Sequence, residues 1–148
     1  MKTLFLVIAS LFVTALVHAQ SPVRWTIDAK KIADTLYELH IKADVTESWH
    51  IYSQFTPAGG PKPTKIIFTK NPLIKILGSI KENGNMQKKF EDVFNVDVKY
   101  FEGSVTFVQV IKVKANVKTN VSGSIEYMVC TDKQCLPPAK TPFTVALK

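Results

Sequence analysis

Ten consecutive residues, YELHIKADVT (Tyr37–Thr46), alternate without a break between two chemistries. Tyr37, Leu39, Ile41, Ala43 and Val45 fall on one side, and Glu38, His40, Lys42, Asp44 and Thr46 on the other. Successive strand side chains point to opposite faces, so this pattern predicts an antiparallel strand with one buried and one wet face. The same period recurs in RWTIDAK through Trp25, Ile27 and Ala29, in SIEYMVC through Ile125, Tyr127 and Val129, and in FTVALK through Phe143, Val145 and Leu147. SVTFVQVIKVKANV reads as a long strand whose alternation blurs near Val108, as a bulge or full burial would produce. No segment offers a three-turn amphipathic helix.

Turn chemistry separates these runs. TPAGGPKPT (Thr56–Thr64) is a Pro/Gly loop, and KENGN (Lys81–Asn85) carries the Asn-Gly signature of a tight turn. MQKKFEDVFNVDV (Met86–Val98) fits neither period and reads as an irregular loop that enters a strand at Val96. Roughly seven to nine short strands at this spacing predict an all-β fold, a two-sheet antiparallel immunoglobulin-like sandwich, with a closed barrel as the alternative.

The chain opens on MKTLFLVIASLFVTALVHAQ. Lys2 precedes an apolar run from Leu4 to Val17, shorter than the ~20 residues that span a bilayer, and small residues lead to a cleavage site after Ala19. Residues 1–19 are therefore expected to be a signal peptide and residues 20–148 a single exported domain, periplasmic in setting. The formal charge is +7, but the lysines are scattered and Arg24 is the sole arginine, which argues against nucleic-acid binding.

Export puts Cys130 and Cys135, the only cysteines, in a compartment where a disulfide persists. As a staple, a loop this short contributes only about 2 kcal/mol in the chain-entropy model. As a redox couple, a short exposed bridge belongs to the labile kind. Lys133 within the loop favours a thiolate and Asp132 opposes it. Spacing alone leaves staple and couple balanced. Zinc finds poor support, since His40 and His50 stand ten apart rather than at metal-ligand spacing. The Cys-x-x-Cys helix start of thioredoxins is absent, as is a nucleophile elbow. The sequon at Asn120–Ser122 is a match short enough to arise by chance.

YMVCTDKQCLPP (Tyr127–Pro138), ESWHIYSQ (Glu47–Gln54) and KKFEDVFNVDVKYFEGSVTF (Lys88–Phe107) together resemble the N-terminal periplasmic domain of the DsbD disulfide-reductase family. The resemblance implies an immunoglobulin-like sandwich acting as a thiol–disulfide oxidoreductase module, with Cys130 and Cys135 as its redox pair. It implies Tyr52 as the aromatic beside the pair, His50 at a neighbouring site-facing position, and Glu91 and Asp92 as acids near the cysteines, suited to handling protons. Phe94, with Phe90 as second choice, would be the aromatic of a cap loop that shields the disulfide. The pair is one residue closer here than in better-known members, and Val93 interrupts the cap's acid-acid-aromatic run.

The function so implied is relay of electrons from a membrane thiol transporter on a separate chain to periplasmic thioredoxin-like or disulfide-isomerase-like proteins. No flavin, haem or metal cofactor is needed for it. The rival expectation is an immunoglobulin-like protein-binding module in which Cys130–Cys135 is an inert clasp.

Overall fold

The computed structural model describes residues 21–92, 94–114 and 117–148; the expected signal segment, residues 1–19, lies outside them. Nine strands are described: β1 (Val23–Ala33), β2 (Leu36–Val45), β3 (His50–Tyr52), β4 (Lys65–Phe68), β5 (Ile74–Glu91), β6 (Val96–Val113), β7 (Thr119–Tyr127), β8 (Val129–Cys130) and β9 (Ala139–Leu147). One sheet runs β1-β2-β6-β3-β8, with β5 along the other edge of β6, and the second runs β4-β7-β9. Every pairing is antiparallel. Leu39, Ile41, Phe101 and Phe107 of the first sheet meet Val121, Ile125, Phe143 and Leu147 of the second in one core. This is the two-sheet sandwich that the alternation predicts.

Tyr37, Leu39, Ile41, Ala43 and Val45 are all buried, as their period requires. The blur near Val108 has another cause than a bulge in that strand. Val105, Phe107, Gln109, Ile111 and Val113 are buried in strict alternation, so β6 is regular there and one inward position is polar. The irregularity lies on β5, whose register shifts between Leu77 and Lys81 around Gly78, a glycine at φ 68°. Gln109 Nε2 donates to the Leu77 carbonyl at 2.6 Å and the Val110 carbonyl at 3.0 Å. A buried amide thus satisfies backbone acceptors where the ladder is disturbed, which explains a glutamine in the core.

Two expectations are corrected. Asn83-Gly84 is not a turn but lies inside β5, where a register shift follows between Gly84 and Met86. The residue there must be small, because a Cβ on Gly84 would stand 3.0 Å from the Ser104 carbonyl and 3.2 Å from the Phe101 ring. Nor is Met86–Val98 an irregular loop. Met86 to Glu91 pair with Phe101 to Val96 as a hairpin, in whose turn Asn95 takes φ 53°. The period was hidden because it is inverted. Gln87, Lys89 and Glu91 are the half-buried positions, while Met86, Lys88 and Phe90 face solvent. The inward face of this hairpin sets Lys89 and Glu91 beside Val98 and Val96, which pack into the small second cluster around Cys130 rather than the main core.

The Pro/Gly loop after β3 is pinned to the sheet. Thr64 Oγ1 donates to the Tyr52 carbonyl at 2.6 Å and Thr56 Oγ1 to the Lys99 carbonyl at 2.8 Å. Ser53 Oγ and the Gln54 amide both donate to the Glu82 carboxylate, at 2.6 and 2.7 Å. These bonds fix the exit of β3, the short strand that carries His50 and Tyr52.

Candidate functional site

After Tyr127 the chain leaves the smaller sheet and crosses to the larger one, where Val129 and Cys130 pair with Ile51 and His50. It then reverses at once. The Thr131 amide donates to the Gln134 carbonyl at 2.8 Å and the Leu136 amide to the Val129 carbonyl at 3.0 Å, closing a tight hairpin. Thr131 Oγ1 accepts from the Lys133 and Gln134 amides at 3.2 and 3.1 Å, the hydroxyl-to-backbone pattern that stabilises such turns. Pro137 and Pro138 follow, and having no amide hydrogen they cannot extend the pairing.

Cys130 and Cys135 face each other at the base of this hairpin and are joined by a disulfide, with Cα atoms 4.0 Å apart. Their surroundings differ. Cys130 is 1% exposed and packs with Tyr52 and Val98, flanked by Val96, Tyr100 and Met128. Cys135 is exposed. One end of the bond is sealed in a small second core and the other faces solvent.

His50 lies directly opposite Cys130 in the β3–β8 ladder. Its Nε2 is 3.0 Å from the Tyr52 hydroxyl, and both side chains are buried. Tyr100 closes the other side, its ring centroid 4.9 Å from that of His50. Burial, with the Lys89 charge beside it, lowers the His50 pKa from 6.5, while Asp132, Glu102 and Glu91 act in the opposite sense. Burial, reinforced by Glu91, pushes the Tyr52 hydroxyl up to about 12. At neutral pH the pair is therefore an uncharged imidazole bonded to a protonated phenol.

The inverted face of the β5–β6 hairpin supplies the charges. Lys89 Nζ is 3.0 Å from Glu91 and 3.3 Å from Asp132 Oδ1, and it stands 5.9 Å from the centre of the Tyr100 ring. The hydrogen bond to Glu91 raises the Lys89 pKa, keeping the cation charged. Lys89 so links the hairpin to the loop between the two cysteines. Neither Lys89 nor Tyr100 stands out in the sequence. Only the polar alternation Gln87, Lys89, Glu91 hints at an inward polar face.

Of the residues singled out from sequence, Cys130, Tyr52 and His50 come together, and Glu91 reaches the same place through Lys89. Asp92 is exposed in the turn, and Phe94 stands there 40% exposed, outside the buried set around Cys130. Phe90 is 53% exposed on the solvent face of β5. Among the described residues no group of three or more His, Cys, Asp or Glu side chains is arranged to hold a metal ion.

The family model described as "Thiol:disulfide interchange protein DsbD, N-terminal" matches residues 20–147. No curated protein matches the sequence. Among solved structures the chain is similar to the DsbD N-terminal domain of Neisseria meningitidis in its reduced form, at 13% identity and a TM-score of 0.54 over 82% of this chain and 84% of that one. It is similar to a structure of the complex between the DsbD and PilB N-terminal domains of the same organism, at 13% identity and a TM-score of 0.55 over 88% and 87%. It also resembles the N-terminal periplasmic domain of ScsB from Proteus mirabilis, at 16% identity and a TM-score of 0.53, covering 84% of this chain but 44% of that one.

Proposed function

Since this chain belongs to the family of DsbD N-terminal domains, we propose that it is an exported thiol–disulfide interchange module working through Cys130 and Cys135. The observation that carries this reading is the asymmetry of the disulfide, buried at Cys130 and exposed at Cys135. A partner's sulfur can reach only the exposed end without unfolding the hairpin. In the reducing direction the Cys135 thiolate attacks a partner disulfide and forms a mixed disulfide, releasing one partner thiolate. Cys130 then attacks Cys135 Sγ, the bond to the partner breaks, and its electron pair leaves on the second partner sulfur. Two electrons have moved to the partner, and the Cys130–Cys135 bond is restored. The reverse sequence reloads the pair from a donor.

The proposed partners are thioredoxin-like or disulfide-isomerase-like proteins of the periplasm, with a membrane thiol transporter as electron donor. Residues 1–19 act in this reading as the export signal. The complex of the DsbD and PilB N-terminal domains from Neisseria meningitidis supports a protein partner for this fold. Among the described residues no helix is long and apolar enough to cross a membrane. The reduction potential of the pair tests the reading. Thiol–disulfide exchangers lie at about −120 to −270 mV, whereas structural disulfides fall below about −300 mV. A value in the first range is expected, and one in the second would make the bridge an inert clasp.

A further inference from the structure

Reduction of the disulfide leaves Cys130 as a thiol in an enclosed, largely apolar place. Burial there disfavours the thiolate, yet only the thiolate can close the ring. A base inside the site is therefore required, one able to take a proton near neutral pH.

The structure offers few. Glu91 is held in an ion pair by Lys89, and Asp92 is exposed in the turn. Tyr52 keeps its own proton far above neutrality. His50 remains. Directly opposed residues of an antiparallel pair have Cβ atoms about 4.5–5.5 Å apart and side chains on one face, so the imidazole and the Cys130 sulfur project to the same side of the ladder. Tyr52 bonds Nε2, and among the described residues no hydrogen bond is made by Nδ1. Around the ring stand Lys89 and Glu91 from β5, Tyr100 and Glu102 from β6, Tyr52 from β3 and Asp132 from the cysteine hairpin.

We propose that His50 is the proton carrier of Cys130, oriented by the Tyr52 hydroxyl; this deepens the interchange reading and rests on it. In ring closure the proton of Cys130 Sγ passes to neutral His50, and the thiolate attacks Cys135 Sγ. The Cys130–Cys135 bond forms, the bond from Cys135 to the partner breaks, and the electron pair departs on the partner's thiolate. His50 then returns its proton to solvent or to that thiolate. In ring opening the flow reverses, and the departing Cys130 thiolate is protonated through His50. The neutral ring takes the Cys130 proton at Nδ1, so its Nε2–H donates to the Tyr52 oxygen, and the same bond persists in the imidazolium.

The test separates the two thiol steps. The reduced protein is mixed with a small aromatic disulfide, whose first thiolate reports attack by Cys135 and whose second reports closure by Cys130. Closure is followed from pH 5 to 9 in the wild type and in His50→Gln, whose amide can still bond Tyr52. General-base assistance by a side chain is typically worth 10²–10⁴-fold, so slowing by about tenfold or more at pH 7 is expected, with loss of the rise through the histidine range. Identical closure profiles in the two proteins would overturn the proposal. A second readout needs no variant: the His50 ring is titrated by NMR in the disulfide and dithiol forms. Its midpoint is expected to move when Cys130 becomes a thiol, and unchanged midpoints would count against the proposal. The probe is not a protein partner, so failure here is distinguishable from failure of the interchange reading, which shows in the reduction potential.

Discussion

His50 and Cys130 stand directly across from each other on β3 and β8, and the His50 ring is in turn bonded to Tyr52 at 3.0 Å. A buried titratable base and a buried sulfur thus share one face of a two-strand ladder. The pH dependence, the stability and the chemistry of the site all follow from that placement.

His50 is buried, and its pKa is lowered from 6.5. Between that lowered value and 6.5 the unfolded chain binds more protons than the folded one, so stability rises with pH through this window and is complete above it. Acid therefore removes it. Tyr52 acts at the other extreme: its value of about 12 against an ordinary 10.0 means that stability declines as pH rises from 10 to 12, by on the order of 2 kcal/mol. Urea unfolding of the disulfide-bonded protein should show a plateau between these limbs. His50→Gln should flatten the acid limb relative to wild type.

Tyr52→Phe keeps the ring that packs against Val98 and Cys130 but deletes the hydroxyl bonded to His50. Leaving a buried imidazole nitrogen without its partner should cost about 1–3 kcal/mol, read as a lower urea midpoint with an unchanged slope. The alkaline limb should shrink with the loss of the phenol, leaving the part that Lys89, whose pKa is also raised, contributes.

Lys89 joins two segments far apart in sequence, yet its ion pairs are largely wet, with the Asp132 side chain 90% exposed. Lys89→Ala should therefore cost less than about 1 kcal/mol. Its electrostatic effect should be plainer. Lys89 is a cause of the lowered His50 pKa, so its removal should raise the His50 midpoint measured by NMR.

Much of the fold was legible because most strands bury apolar residues on one face. Tyr37 to Val45 needed nothing more than their period, whereas SIEYMVC, read as one strand, breaks after Tyr127 into β7 and β8 of different sheets and buries Cys130. The hairpin of β5 and β6 was illegible for the opposite reason: Lys89 and Glu91 point inward and Phe90 outward, so hydrophobicity there marks the wrong face. Asn83-Gly84 carried turn chemistry but serves a close backbone approach between strands. The site was legible at its cysteines, through the family-like stretch that ends in Leu136-Pro137-Pro138. Lys89 and Tyr100 were not, since each reaches the cysteines only through pairings made across tens of residues.

Gln109 offers a check on the reading of the β5 irregularity. Its side chain is 2% exposed and donates to the Leu77 carbonyl. Gln109→Leu preserves bulk but leaves that acceptor without its donor, and should lower stability by about 1–3 kcal/mol. Amide exchange should quicken first around Leu77 to Lys81, where the ladder is already interrupted.

Interchange through the exposed end of an asymmetric disulfide is the central claim, and covalent trapping tests it most directly. Cys130→Ala leaves Cys135 exposed and without its resolving sulfur, so a mixed disulfide with an exported thioredoxin-like protein should accumulate and vanish on addition of a thiol reductant. Cys135→Ala, which leaves only the buried sulfur, should give little or none. If neither variant forms a mixed disulfide with any such protein, or if the buried Cys130 traps as readily as Cys135, the account is contradicted.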